Sequence, residues 1–572
     1  MQTVQQSSAT RESAPTKSHI HVAIGAFALT LAALPYICGY LLTPRGSTFL
    51  GQIFSIDDYF VYLSWTKQAA DGHFWIRNLF TTDPQGALQF NIFFLLAGKL
   101  IQLTGQSPET VLQALRFLMA AGTLRVVYAL CKLCAPDDIV ARVTAFGFAA
   151  LGSGIGWLYE IKNPDLTLVF PSADSNQPEA LTFTSTYYAA LTGLGTMLIA
   201  ASMYCLLKTA IERRTHYAVI AGLCLLILGN AHTYDVIHVA AAWSLFLIAY
   251  FAVGRRIDWP LLSRSALAGV IALPSAIDQY YVLHHNSVFY QRALEATTLT
   301  PGIVSYVIGY GLVLILAIVG LRSKALPELR TVDNSSTSQA ITSLALICWS
   351  VAGLTIIYAI RLAFQRKLIM GEDIPLSILA GFGVSALTQN LKSSARTAVA
   401  TLFVAMTLPS TLLFVARDLT TLSRAHSLLG SIGSPYLSTT ERDTIDWIDA
   451  HTKATDAFIA PPRLALLIPG FADRAVWAGH WGETPRSADK IGRLSNFCAV
   501  YATDASRIRL LRSSMAEYFC YPNDPTHQSL AEMTPAGLTR RYADIASTPP
   551  PYLHPVHHNA EYTVFSIDLP PQ

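Results

Sequence analysis

Long apolar runs separated by short polar segments fill the chain through residue 416. The first run, 20–42, holds no Asp, Glu, Lys or Arg. Others centre on 111–133, 140–158, 186–207, 217–229, 236–253, 262–283, 303–321, 341–360, 374–387 and 397–416. A helix needs roughly 20 apolar residues to cross a bilayer, because lipid offers no partner to an unpaired backbone group. The pattern therefore predicts about eleven membrane-spanning helices within 19–416. The stretch NIFFLLAGKLIQL, 91–103, is short for a span and has Lys99 near its end, so it is read as a helix lying on the membrane surface. The polar segment 1–18 reads as a disordered cytoplasmic tail. The run behind it is too long for the apolar region of a cleaved signal peptide and is taken as a retained anchor.

Basic residues set the orientation. Lys132 with Arg142, Lys208 with Arg213 and Arg214, Arg255 with Arg256, Arg322 with Lys324, and Lys392 with Arg396 fall in alternate loops. Basic residues in short loops stay in the cytoplasm, which leaves the loops 43–109 and 159–184 and everything after Arg417 outside. The parity closes only if 91–103 does not cross.

Past Arg417 the pattern changes to short alternating elements. Ser438 or Thr439 is placed to cap a helix with Ile445 and Ile448 on one face. DAFIAPP and RAVWAGHW read as strands and 487–500 as a second helix, predicting a small α/β or α+β domain over 417–572. Cys498 and Cys520 lie in this exported part, where either a disulfide or two free thiols is compatible with the sequence.

Composition narrows the class. Of 572 residues, 52% are hydrophobic and 13% charged, with mean hydropathy +0.38, whereas soluble chains carry about 25% charged residues. A purely soluble enzyme is excluded. A net charge of +3 without a like-charged block gives no reason to expect nucleic acid. Cys131 and Cys134 form a CxxC at a span end with no second pair, so helix packing is the better reading than zinc. No phosphate-binding loop, dinucleotide fingerprint or HExxH motif occurs.

The densest candidate chemistry is FSIDDYFVYLSW, just beyond the first span. Asp57 and Asp58 are adjacent, and helical spacing puts Asp58, Tyr62 and Trp65 on one face. A carboxylate beside aromatic rings at the interface suits a general base toward a hydroxyl. The competing reading makes Asp57 a helix cap and Asp58 a solvated acid. A loop acid pair after a first span, an aromatic amphipathic helix and a many-span body with an exported C-terminal domain together resemble the GT-C superfamily of integral membrane glycosyltransferases. The arrangement is similar in particular to bacterial relatives of protein O-mannosyltransferases and aminoarabinose transferases. The resemblance implies transfer of a sugar from a polyprenyl-phosphate donor to a glycan, lipid or protein acceptor, with Asp57 as base and Asp58 as its partner. It also implies an envelope location, the bacterial inner membrane. Those families commonly carry Asp-Glu where this chain has Asp-Asp, which leaves a divalent cation open and no other cofactor expected.

Further acids and bases extend the site. GT-C enzymes often place another acid in a later external loop, and Glu179 fits that place best, against a solvated loop acid. His232 and Asp235, in NAHTYDVIH, are set to hydrogen-bond sugar hydroxyls. Arg361, Arg366 and Lys367 break the orientation rule by lying in an outer loop. They suit a lipid phosphate or, equally, anionic head groups. Arg116, Arg125 and Asp278 are charges within spans. His480, with Trp481 and Glu483 in GHWGETPRSADK, is a candidate for sugar or acceptor binding, against an ordinary Gly-rich turn. Two other classes remain: a transporter or flippase, and a non-catalytic membrane assembly or sensor protein.

Overall fold

The computed structural model describes residues 19–162, 172–329, 338–534 and 540–571. The tail 1–18 lies outside the described residues. Among the described residues, eight helices are long and apolar enough to cross a membrane, from Ile20–Leu41 to Gln365–Thr388. A bent pair, Ser393–Met406 and Pro409–Ser423, supplies a further span, and the apolar helices Ile139–Leu151 and Thr215–Ala231 complete the helical body. The helix Trp259–His285 shows the scale of the body. Exposed Trp259 and Tyr280 lie about 32 Å apart along it at 1.5 Å per residue, matching the aromatic belts that flank a hydrocarbon core of about 30 Å.

Four runs depart from the continuous helices expected of them, one of them 303–321, which is kinked at Gly311 with a φ of 43°. The run 140–158 is broken: after the helix Ile139–Leu151 the chain leaves at Gly152, threads Gly154 against the backbone of Ile308 and Gly309, and is helical again from Trp157, in Trp157–Lys162. The run 186–207 is split at Ala189, where extended backbone separates Thr182–Tyr188 from Ala190–Glu212. The run 397–416 bends by 44° ahead of Pro409, whose missing N–H interrupts the hydrogen-bond ladder.

Between the first two long spans, α1 (Ile20–Leu41) and α4 (Pro108–Cys134), lie α2 (Ile56–Ala70) and α3 (Ile92–Thr104). At 13 residues α3 is about 20 Å long, shorter than a hydrocarbon core of about 30 Å. Both its ends meet one layer. Asn91 caps its start and bonds the carbonyl of Ala231, and Gln102 near its end bonds the carbonyl of Ala70. Gly98 lets α3 press on α2, since a Cβ there would fall 2.5 Å from the carbonyl carbon of Ala69.

The helical body continues to Ser423, beyond the boundary at 416 read from composition. A two-stranded ribbon, β1 (Ser47–Phe49) against β2 (Tyr436–Ser438), then joins the first loop to the C-terminal part. The C-terminal sheet contains β3 (Ala457–Ile459), β4 (Ala475–Val476), β5 (Tyr518–Pro522), β6 (Leu553–His558) and β7 (Tyr562–Ile567), in the order β4-β3-β5-β7-β6. Strands β4, β3 and β5 run parallel and β7 and β6 antiparallel to their neighbours, so the domain is mixed α/β. Of RAVWAGHW only Ala475–Val476 is strand.

Alternation along β5 sends its side chains to opposite faces. Cys520 joins a core with Phe60 and Leu63 of α2, whereas Phe519 and Tyr521 join Cys498 and Leu494 on the other side. Cys498 and Cys520 are therefore separate buried thiols, and the bridge left open by the sequence is not formed. The capping box of Ser438 and Glu441 starts the helix Thr439–His451 as its sequence indicates.

Candidate active site

The corner before α2 positions the acid pair. Ser55 takes a left-handed φ of 50°, and Asp57 and Asp58 fill the first turn of the helix, where the positive end of the helix favours negative charge. Ser55, not Asp57, occupies the cap position. The oxygens of Asp58 are both engaged. Oδ2 accepts from the Tyr188 hydroxyl at 2.8 Å and Oδ1 lies 3.2 Å from His480 Nε2. Asp57 Oδ2 accepts from the Trp481 indole N–H at 3.0 Å and lies 3.6 Å from His480 Nε2. Among the described residues, Asp57 Oδ1 meets no protein donor.

His480 is buried at 3% exposure. Burial alone would lower its pKa, but hydrogen bonds to Asp57 and Asp58 and their charges outweigh burial and raise it to about 9. For Asp58 burial raises the pKa, while His480, Lys367 and Tyr188 together hold the carboxyl well below its usual range. The backbone N–H of Gly482 points at His480 Nδ1 from 3.1 Å, a contact that suits the neutral ring, with its proton on Nε2 toward the acids, and that works against the charged form the two carboxylates favour.

A cavity of about 330 Å³ opens beside the pair. Asp58, Tyr62 and Trp65 line one wall, the face expected from helical spacing. Lys367 and Arg292 supply positive charge to another, and His480, Trp481 and Glu483 close it from the C-terminal domain. Glu483 pairs with Arg292. Lys367 sits in a 3-10 turn, Gln365–Ile369, with its Nζ 5.4 Å from the centre of the Tyr234 ring. That turn is held by His238 Nδ1, 2.6 Å from the carbonyl of Leu368, and the Trp349 indole donates to His238 Nε2 at 2.9 Å.

The other expected residues divide. His232 lines the cavity, and its Nδ1 lies 2.6 Å from Oδ2 of fully buried Asp235. Arg366 does not line it; its guanidinium lies 3.6 Å from buried Glu179, an ion pair that leaves Glu179 Oε2 and Arg366 Nε without a hydrogen-bond partner. Arg361 is exposed and apart from the cavity. The helix Ser338–Ala359 ends before Arg361, which falls in the irregular segment that follows it. Arg292, Tyr188 and Tyr234 were not singled out in the sequence. Arg292 carried a usable signal, a basic residue on the side where basic residues are disfavoured.

Among the described residues, no group of three or more His, Cys, Asp or Glu side chains is arranged to hold a metal. The acid pair already faces Trp481, Tyr188 and His480, a donor set that does not suit a cation.

No family model and no curated protein sequence matches the chain. Solved structures do. The chain is similar to the Archaeoglobus fulgidus oligosaccharyltransferase, with a TM-score of 0.54, 12% identity, 92% of this chain covered and 75% of that one. ArnT from Cupriavidus metallidurans matches with a TM-score of 0.52 and 13% identity over 95% of this chain and 97% of that one. The mycobacterial arabinofuranosyltransferase AftD gives 0.53 and 14% over 98% of this chain and 40% of that one. The fold is of the GT-C type. The archaeal enzyme has also been solved with a dolichol-phosphate, and once with zinc and sulfate, and ArnT with undecaprenyl phosphate.

Proposed function

We propose that this GT-C-fold chain is a glycosyltransferase that moves a sugar from a polyprenyl-phosphate carrier to an acceptor hydroxyl at the outer face of the membrane. One observation carries the reading: Asp58 and Lys367 line one cavity, and Asp57, beside Asp58 at the start of α2, reaches its rim through the cavity residues Trp481 and His480. Lipid phosphates in the solved structures of ArnT and the archaeal enzyme support the donor class.

The free Oδ1 makes Asp57 the base, and the engagement of both Asp58 oxygens makes Asp58 the group that fixes His480 and Tyr188 beside it. The acceptor oxygen forms a bond to the anomeric carbon as its proton passes to Asp57. The bond from that carbon to the phosphate oxygen breaks on the opposite side, which inverts the anomeric centre. The departing phosphate carries negative charge, and Lys367, with Arg292 at the same cavity, is placed to hold it. His232 is held at both ring nitrogens, Nδ1 by Asp235 and Nε2 by the Tyr234 hydroxyl, so it shapes the cavity wall and is assigned no step. Glu179 acts through Arg366 and Arg361 stays with head groups, so neither is assigned a step.

The test uses the full chain in lipid nanodiscs with lipid-linked sugars extracted from the cells that make it. Asp57→Asn is expected to lower turnover by about 10²–10⁴-fold while still binding the lipid donor, and Lys367→Ala to weaken donor binding. Full turnover by Asp57→Asn, with unchanged outer-face glycans and lipid-linked sugars in cells lacking the protein, overturns the proposal.

A further inference from the structure

A larger cavity, about 1000 Å³, opens at the other end of the helical body, between α1, α4 and the helix Ala190–Glu212. It lies beside the start of α1, whereas the acid pair follows the end of that helix, about 33 Å away along a 22-residue helix. Its inner wall is apolar, with Leu29, Leu124 and Ala129. Its cations are Arg125, Lys132 and Lys208, and among the described residues no Asp or Glu lines it.

The placement of these charges is specific. Arg125 and Lys132 are two turns apart on one face of α4. Arg125 lies nine residues inside the end of α4, about 14 Å deep, where a charge is costly unless an anion or water meets it. Lys208 pairs with Glu212. Among the described residues, Arg125 and Lys132 form no ion pair. An apolar trough with unmatched cations toward its outer end fits an amphiphile whose anionic group sits outermost and whose chain runs inward.

We propose that this groove binds the phosphate of a membrane lipid in the leaflet opposite the acid pair. Arg125 and Lys132 take the phosphate oxygens, the guanidinium by paired N–H donors, and one hydrocarbon chain lies along Leu29 and Leu124. The shared chemistry is a lipid phosphate, and its two sources are bulk phosphatidylglycerol and a polyprenyl monophosphate.

Native mass spectrometry of the full chain, titrated with phosphatidylglycerol, undecaprenyl phosphate, phosphatidylcholine or inorganic phosphate, tests it. Phosphatidylglycerol is expected to bind the parent and Lys367→Gln alike, one copy per chain, and undecaprenyl phosphate is compared with it in Lys367→Gln, where the cavity at the acid pair is weakened and the groove is read alone. Arg125→Gln with Lys132→Gln is expected to weaken that binding at least about ten-fold. Ala129→Trp, which fills the apolar wall and keeps every cation, is expected to do the same and covers the case in which the double variant does not fold. Tighter binding of undecaprenyl phosphate than of phosphatidylglycerol assigns the groove to the carrier, and equal binding assigns it to bulk lipid. Equal affinity for phosphatidylcholine, equal affinity for inorganic phosphate, or unchanged binding in both groove variants overturns the proposal.

Discussion

His480 is the residue through which the C-terminal domain reaches the acid pair, and its charge makes the contact depend on pH. Its pKa is raised from 6.5 to about 9 by Asp57 and Asp58 against the effect of burial, so the stability it contributes is complete below pH 6.5 and is lost as pH rises through about 9. Asp58 is shifted the other way, so its contribution is present above its usual value of 3.8 and is lost as pH falls through the depressed one. The unfolding temperature of the parent in detergent is therefore expected to fall between pH 6.5 and 9, with a slope of at most about 1.4 kcal/mol per pH unit. His480→Gln is expected to fall less steeply than the parent across that window. A parent and a variant that decline in parallel would show that the ring is neutral at the contact. The face of Asp58, Tyr62 and Trp65 could be read directly, because residues on one helix repeat at three and four. Arg292 could not be matched to Glu483, since 191 residues separate them and only the folded chain joins them.

At the scale of elements, hydropathy located the spans because crossing lipid demands a long apolar run, which is a property of the local sequence. It missed the interruptions at Gly152 and Ala189, where tertiary contacts satisfy the freed backbone. The N–H of Ser153, for example, donates to the carbonyl of Thr407 at 2.8 Å. The short helix α3 was also legible, from its length and Lys99, and its role follows from the structure: it supports α2 from below the acid pair. At Gly98 the obstructing atoms are backbone, the carbonyl carbon of Ala69 at 2.5 Å and the nitrogen of Ala70 at 2.6 Å. A side chain there must push the two helices apart. Gly98→Val is expected to cost about 1–3 kcal/mol of stability and to reduce turnover by tilting α2. Gly269→Ala, in open space, is expected to change neither. Thermal unfolding and turnover measured on both variants check this, and a Gly98→Val protein with parental values would mean that α2 and α3 are not packed this tightly.

Across the whole molecule, the C-terminal domain is built into the first loop. Lys490 Nζ bonds Thr81 and Asp83 at 2.9 Å, Asn78 bonds the carbonyl of Glu483 at 2.7 Å, and β2 pairs with β1. A composition change near Arg417 could reveal a second domain, but not that its core is continuous with Phe60 and Leu63 of α2. This continuity puts the sheet domain, the acid pair and Lys367 at one end of the helical body. The opposite end gathers the basic loops, where Asp138 lies 3.7 Å from Lys324 and 3.6 Å from Arg396. Basic residues at one end fix orientation during insertion, so that end is expected to face the cytoplasm and the acid pair the outside. Single cysteines read by a membrane-impermeant maleimide test it. Exposed Val500→Cys in the sheet domain and Lys99→Cys on α3 are expected to label in right-side-out vesicles. Leu391→Cys, exposed beside Lys392, is expected to label only in inverted ones. Labelling of Lys99→Cys from the side of Leu391→Cys would make α3 a span and break the parity. Reversal of the whole set would leave the fold standing and move the reaction to the cytoplasmic face, where the lipid-linked donor loses its rationale.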